Sequence, residues 1–292
     1  MTATWLAIVN PRAGFSRSQH WRETIAATIR REMGAQAVFT QYAGHASELA
    51  AAADADGLAV FGGDGTVAEV VNGMDLERQR ILLLPGGTGN GLARDLGLAS
   101  MDAAFAAARA GRIRTLDLMR VTFQSQGETF SRLAISTASV GYAAETVALA
   151  NRYFKFLGEL CYPLAATLQA GRQRAFPVHV QLDQNAPEER QLSNIMVNNT
   201  RHAGNFSAFR QSHPGDGCLE ALLARAGFAG QFLHNLAVLS RTYFYATAAE
   251  TSVRSLSLTL PTPQRLMMDG ELWEDVSWVN FEILPGKLQC VA

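Results

Sequence analysis

The apolar run Gly57-Leu58-Ala59-Val60-Phe61 passes straight into Gly62-Gly63-Asp64-Gly65-Thr66, and the pattern beyond it is helical. No other feature restricts the fold of these 292 residues as much. Successive glycines between a strand and a helix let the main chain approach an anion closely, and the helix start adds free N–H groups and a favourable dipole. A carboxylate in such a loop repels phosphate unless it holds a metal or handles a proton. Asp64 therefore points to magnesium-assisted phosphoryl transfer. The bland alternative is a glycine turn in which Asp64 caps a helix.

Two more strand ends carry the same kind of loop. Trp5-Leu6-Ala7-Ile8-Val9 runs into Asn10-Pro11-Arg12-Ala13-Gly14, and Ile81-Leu82-Leu83-Leu84 into Pro85-Gly86-Gly87-Thr88-Gly89-Asn90-Gly91. Thr88 and Asn90 can hydrogen-bond phosphate or ribose. Arg94, one helical turn on, either reaches the same anion or is a solvated helix residue. Between these loops the spacing predicts helices over 18–33, with Trp21, Ile25, Thr28 and Ile29 on one face, over 45–54, capped by Ser47 or the turn before it, over 67–74 and over 91–96. A further strand is expected at Ala37–Gln41. Alternating strands and helices imply a parallel sheet covered on both faces, with ligands beyond the carboxyl ends of the strands. Gly63-x-Gly65-x-x-Ala68 also fits a dinucleotide fingerprint, but that fingerprint wants an acid about 20 residues on, at the end of the next strand. Here that strand ends in Pro85-Gly86-Gly87.

From Thr115 the character changes. Strands are expected at 115–123, 129–138, 176–182, 192–198, 218–224 and 253–260, interrupted by helical stretches at 143–171 and 229–248, which implies a second, β-rich domain. The last apolar runs, 265–268 and 277–284, fit either domain, and Asp183–Arg190 reads as a polar hairpin loop. Met268-Asp269-Gly270-Glu271 sets two carboxylates about a glycine, as part of a site or as a hairpin turn.

Bulk properties exclude several classes. Hydrophobic residues make up 48% and charged residues 17%, as in a folded globular chain. The net charge of -1 gives no support to nucleic-acid binding. Cys161, Cys218 and Cys290 are scattered and odd in number, against a disulfide framework or zinc site and in favour of a reducing cytoplasm. Met1–Asn10 has no basic region ahead of its apolar run, against a signal peptide. A membrane span needs about 20 apolar residues, and the apolar stretches at Ala99–Ala110 and Phe232–Ala249 are interrupted by polar residues. A lipid substrate would be met peripherally.

Taken in order, Asn10-Pro11-x-Ala13-Gly14, Gly62-Gly63-Asp64-Gly65-Thr66-x-x-Glu69-Val70-Val71-Asn72-Gly73, Pro85-Gly86-Gly87-Thr88-Gly89-Asn90 and Asp269-Gly270-Glu271 resemble the motif set of the diacylglycerol kinase catalytic-domain family, which includes bacterial lipid kinases and the sphingosine and ceramide kinases. Looser likenesses follow at Ser139-Val140-Gly141-Tyr142, Lys155-x-x-Gly158-x-x-x-Tyr162, Asn198-Asn199 through Ala203-Gly204, and Pro214-x-Asp216-Gly217-x-Leu219-Glu220. Bacterial members often carry Asn-Asp-Phe-Ala after the Gly-Thr pair; here the segment is Asn90-Gly91-Leu92-Ala93, closer to the sphingoid-base kinase pattern.

The resemblance implies an N-terminal Rossmann-like α/β nucleotide-binding domain over 1–118 and a C-terminal β-sandwich domain for the lipid over 119–292, the last strand free to return to the first domain. The active site would lie in the interdomain cleft. Asn10, Gly62, Gly63, Gly65, Thr66, Gly87, Thr88 and Asn90 would line an ATP site. Asp64 would assist magnesium–ATP chemistry, with Asp269 or Glu271 acting across the cleft as proton acceptor or magnesium partner. Asp216 would help hold a structural magnesium. The implied activity is transfer of the ATP γ-phosphoryl group to a lipid hydroxyl by a cytoplasmic enzyme that touches the membrane transiently, with a homodimer left open. Gly91 tilts the acceptor towards a long-chain base. Tyr153, Phe154, Phe156, Leu157, Leu160, Tyr162 and Leu164 are candidates to cover an acyl chain or touch a bilayer, or else belong to a core helix. The rivals are another kinase of the NAD kinase and phosphofructokinase type, and a nucleotide- or lipid-binding protein without catalysis.

Overall fold

The computed structural model describes residues 3–13, 18–87, 90–154, 161–170, 172, 174–203, 206–207, 209, 211–225 and 248–292. Gly14, Thr88, Gly89, Lys155, Phe156, Leu157, Gly158, Leu160, Gly204 and all but the last residue of the helical stretch expected at 229–248 lie outside the described residues.

The first part alternates β1 (Trp5–Val9), α1 (Gln19–Met33), β2 (Gln36–Phe39), α2 (His45–Ala51), β3 (Gly57–Gly62), α3 (Asp64–Gly73), β4 (Arg80–Pro85), α4 (Gly91–Asp95) and α5 (Met101–Ala110). The strands are parallel in the order β2-β1-β3-β4, with Val9 beside both Phe39 and Phe61, and Phe61 beside Leu84. That register brings the carboxyl ends of β1, β3 and β4 level, so their loops meet. Side chains of a strand alternate between faces. Ala7, Val9, Phe61 and Leu84 therefore pack against Ile29 of α1 and Phe105 of α5, while Ile8, Val60 and Leu83 pack against Ala46 of α2 and Val67, Val70 and Val71 of α3. Burial on both faces explains the unbroken apolar runs.

Helix ends follow local chemistry. Ser18 Oγ accepts the Trp21 N–H at the start of α1, and Gly34 at φ 67° closes it. Of the two caps expected for α2, the preceding turn holds: the helix begins after Gly44, Ser47 lies inside it, and the Ala46 N–H donates to Glu69 of α3 (3.2 Å). Helix α3 starts earlier than the spacing predicts, at Asp64, because its first turn is polar and carries no apolar period.

The remainder comprises β5 (Ile113–Ser125), β6 (Glu128–Ala134), β7 (Thr137–Gly141), α6 (Tyr142–Leu149), a wide turn of π-helix (Ala150–Phe154), α7 (Cys161–Ala170), β8 (Phe176–Leu182), β9 (Glu188–Leu192), β10 (Asn194–Asn198), the short pair β11 (His202–Ala203) and β12 (Phe206–Ser207), β13 (Leu219–Ala224), β14 (Ala248–Val253), β15 (Ser255–Met268) and β16 (Glu271–Val291). The strand expected over 129–138 is split at Ile135–Ser136, and those at 253–260 and 265–268 are one strand. Strand β9 begins inside the segment read as a loop, and residue 248 is strand.

Strand β15 joins two layers. Its first half pairs with β8 and its end with β7, with register shifts between Thr259 and Leu266. Such irregularities bend a strand from one layer to another. Val140, Ile195, Val197, Leu219 and Ala221 of one layer meet Phe123, Val180, Leu258 and Phe281 of the other in the core of a β-sandwich. Strand β16 lies antiparallel to β5 along nearly its whole length, and its end reaches the first sheet, where Cys290 pairs in parallel with Ile81 of β4. The 118/119 position falls inside β5.

Candidate functional site

The three loops at the carboxyl ends of the parallel strands interlock. Asn10 Nδ2 donates to Thr66 Oγ1 (2.9 Å), and Asn10 Oδ1 accepts the Arg12 N–H (2.9 Å), so the first loop is tied to the second. A Cβ on Gly62 would lie 2.6 Å from Thr66 side-chain atoms, and one on Gly86 would lie 2.4 Å from the Phe61 ring. Gly87 passes so close to Gly63 that a Cβ on it would sit 2.5 Å from the Gly63 Cα. Asn90, in the left-handed conformation, closes a ring with Gly87: its Oδ1 accepts the Gly87 N–H (3.0 Å) and its Nδ2 donates to the Gly87 carbonyl (2.6 Å).

Asp64 starts α3, yet its carboxylate turns to the neighbouring loop. It accepts the Gly91 N–H (3.1 Å) and the Leu92 N–H (3.4 Å), the first two of α4. It thus caps a helix, though not its own. Burial pushes its proton affinity above the ordinary carboxylate range; the two N–H groups and Arg94 pull the other way, and Asp95 adds to the rise.

The Asp269 turn arrives from the sandwich. A Cβ on Gly65 would lie 3.7 Å from the Asp269 carbonyl oxygen, so the turn rests against the Asp64 loop. The Asp269 carboxyl points inward. It accepts N–H groups from Ile135 (2.7 Å), Ser136 (3.0 Å) and Thr137 (3.0 Å), while the Asp269 N–H donates to the Thr137 carbonyl (2.9 Å). The break between β6 and β7 creates this cradle. Burial raises the Asp269 pKa to about 7; the three N–H groups oppose the rise and the nearby Asp64 adds to it. Glu271 begins β16 opposite Met268 of β15, and its carboxyl makes no hydrogen bond or ion pair among the described residues. Its proton affinity is raised by burial of the carboxyl and by Glu69, with Arg132 opposing.

Asp64, Asp269 and the loop glycines are therefore assembled in one cleft, with Glu271 two residues from Asp269. Asp216 stands elsewhere, in the turn before β13, where its carboxylate accepts the Cys218 N–H (3.0 Å). Among the described residues no three His, Cys, Asp or Glu side chains gather to hold a metal ion. A metal at Asp216 would draw its remaining ligands from carbonyls or water.

Sequence reasoning missed several supports. Asn72 of α3 donates to the Leu133 carbonyl (2.7 Å) and accepts the Leu133 N–H (2.9 Å), fixing the end of β6 immediately before the Asp269 cradle. Its place in the glycine-loop motif was the available signal. The cradle is made of backbone groups and leaves no side-chain signature. Asp95, which meets His202 across the cleft, lies in no motif, and His202 falls inside the Asn198–Gly204 likeness without being singled out by it.

A parallel sheet with interlocked glycine loops at its carboxyl end, faced by a β-sandwich that presents a carboxylate turn, defines a two-domain nucleotide-binding architecture. Residues 4–121 match the model of the diacylglycerol kinase catalytic domain. Sphingoid long-chain bases kinase 1 of Arabidopsis thaliana is 30% identical over 179 residues, 56% of this chain. That alignment spans 23% of the plant protein's own length, and a Bacillus subtilis relative is matched over 34% of its length. Among solved structures, one from Bacillus anthracis superimposes with a TM-score of 0.79 at 21% identity, covering 99% of this chain and 97% of that one. A diacylglycerol kinase structure from the same organism gives 0.72 at 18%, covering 99% and 96%. These structures share the fold, an N-terminal nucleotide-binding domain followed by a β-sandwich. No helix among the described residues is long and apolar enough to cross a membrane.

Proposed function

We propose that this chain transfers the γ-phosphoryl group of ATP to a lipid hydroxyl. The observation that carries the proposal is the meeting of the Asp269 turn with the Asp64 glycine loop at the carboxyl end of the parallel sheet. Phosphoryl transfer asks mainly for positioning and charge neutralisation, and little covalent help. The bare backbone at Gly62, Gly63, Gly65 and Gly87 lets nucleotide phosphates approach, with Asn10, Thr66 and Asn90 shaping the loops around them.

A carboxylate close enough to raise the proton affinity of a second one suits a divalent cation, which typically takes one or two carboxylates and completes its shell with phosphate and water. Asp64 would hold magnesium, which would neutralise phosphate charge when bound. Both oxygens of Asp269 are occupied by N–H groups, so Asp269 acts by orienting the turn. Glu271, with its carboxyl unengaged and its proton affinity raised, is the residue suited to accept the hydroxyl proton.

The long-chain-base direction is supported by Gly91: its N–H is held by Asp64, and an aspartate there would set a second carboxylate beside Asp64. The exposed Tyr153, Tyr162, Leu164 and Leu168 on the α6–α7 region suit contact with a lipid surface.

The test is label transfer from ATP in magnesium to detergent-dispersed diacylglycerol, monoacylglycerol, sphingosine, ceramide and phosphatidylglycerol, with Asp64→Asn alongside. Label in one lipid with the wild type only is the expected result. Turnover retained by a folded Asp64→Asn removes Asp64 from the mechanism. ATP binding without label in any lipid moves the acceptor to a soluble molecule.

A further inference from the structure

We propose that His202 is a positioning residue that sets Asp64 and Asp269 relative to each other by clasping the two domains. This rests on the kinase reading for its catalytic consequence, though not for the clasp itself. His202, on β11 in the second part of the chain, places Nδ1 2.5 Å from Asp95 Oδ1 at the end of α4. The Asp95 side chain is only 6% exposed, which keeps water from competing for it. Asp95 Oδ2 also accepts the Arg201 N–H (2.8 Å) and the His202 N–H (3.3 Å). A carboxylate that takes three donors from one two-residue segment holds that segment in register as well as in place.

The clasp leads to both carboxylates. Towards the first domain, Asp95 is the last residue of α4, whose Gly91 and Leu92 N–H groups hold the Asp64 carboxylate. Towards the sandwich, the His202 carbonyl accepts from Ser136 Oγ (3.0 Å) and Thr200 Oγ1 (2.8 Å). The Ser136 N–H is one of the three that cradle Asp269. Side chain and carbonyl of one residue thus connect the supports of the two acids. Facing a carboxylate oxygen, Nδ1 takes the donor role.

The geometry makes a specific demand. An asparagine at 202 carries its amide nitrogen near the place of Nδ1 and can still donate to Asp95, whereas glutamine carries its own near the place of Nε2, beyond reach of that bond, and alanine has no donor. We would measure hydrogen exchange in peptides covering 91–95 and 135–137, and kcat and KM for magnesium–ATP, in the wild type and in His202→Ala, His202→Gln and His202→Asn. In the alanine and glutamine variants, exchange should rise about tenfold in both segments together. Their kcat should fall about ten- to a hundredfold, with KM for ATP changed less, because misplaced groups lose the transition state more than the ground state. The asparagine variant should restore both to within about threefold. The proposal is overturned by exchange that stays at the wild-type level in either segment, by asparagine behaving like alanine, or by kcat unchanged while exchange rises. A wild type without phosphotransfer sinks the kinase reading alone, and the exchange pattern still decides the clasp.

Discussion

Gly63 and Gly87 face each other across the two phosphate-type loops, yet they should respond differently to a methyl group. A Cβ on Gly87 would stand 2.5 Å from the Gly63 Cα and 2.9 Å from its nitrogen. Both are main-chain atoms with no rotamer to yield, so one loop must move. A Cβ on Gly63 would find the Gly87 Cα at 3.4 Å, an ordinary contact. Neither residue has a positive φ, so alanine is acceptable to the backbone at both. Forcing a methyl into a filled space costs about 1–3 kcal/mol. For Gly63→Ala, poorer capping of α3 and the lower entropy of the unfolded chain each amount to roughly 0.5–1 kcal/mol and oppose one another. For a chain of this size, about 2 kcal/mol corresponds to a Tm loss of roughly 4–8 °C. Thermal melting should therefore show a loss of that size for Gly87→Ala and less than about 2 °C for Gly63→Ala. ATP binding, measured by calorimetry, should fall in both, because a methyl at Gly63 projects where phosphate must approach the chain. Equal melting losses in the two variants would refute the packing argument. Full ATP affinity in Gly63→Ala would refute the placement of phosphate at this loop.

The pH dependence of stability should carry a signature of Asp269. In the folded chain it holds its proton up to about pH 7, against 3.8 for the ordinary group. Between those values the folded state binds the extra proton, so its contribution is complete below about 3.8 and is lost as pH rises through 7. Urea unfolding from pH 4 to 8 should show a falling slope in the wild type that flattens in Asp269→Asn; matching slopes would deny that this group titrates late. Asn72→Ala removes a donor and an acceptor from the Leu133 backbone, and should cost about 1–3 kcal/mol in denaturant unfolding. It should also quicken hydrogen exchange at 135–137, and protected amides there would show that the cradle stands without Asn72. Glu271→Gln should lower kcat by about a hundredfold or more with little change in melting temperature, and an unimpaired variant would return the proton-acceptor role to another group.

The nucleotide half was largely legible from the sequence because its signals are local. Apolar runs buried on both faces, glycines where backbones touch, and Ser18 and Gly34 at the ends of α1 each act within a few residues. The glycines at 62, 86 and 87 stand where a Cβ would collide with a neighbouring loop or ring, so the run of short residues is itself a record of close packing. The sandwich was less legible. Strands β15 and β16 run 14 and 21 residues through bulges, and a bulge shifts the alternation from which a strand is read.

What the sequence determined by itself is the set of candidate groups: the glycine loops, Asp64, and the Asp269–Glu271 pair. It could not determine how each group is held. Tertiary structure alone turned Asp64 onto the N–H groups of α4, folded the Asp269 carboxyl into a cradle of main-chain donors, and brought Asp95 to His202 across 107 residues of sequence. The physical reason is that these supports are made by backbone groups, which every residue carries, and by pairs distant in the chain, whose meeting depends on sheet register and the packing of the two domains.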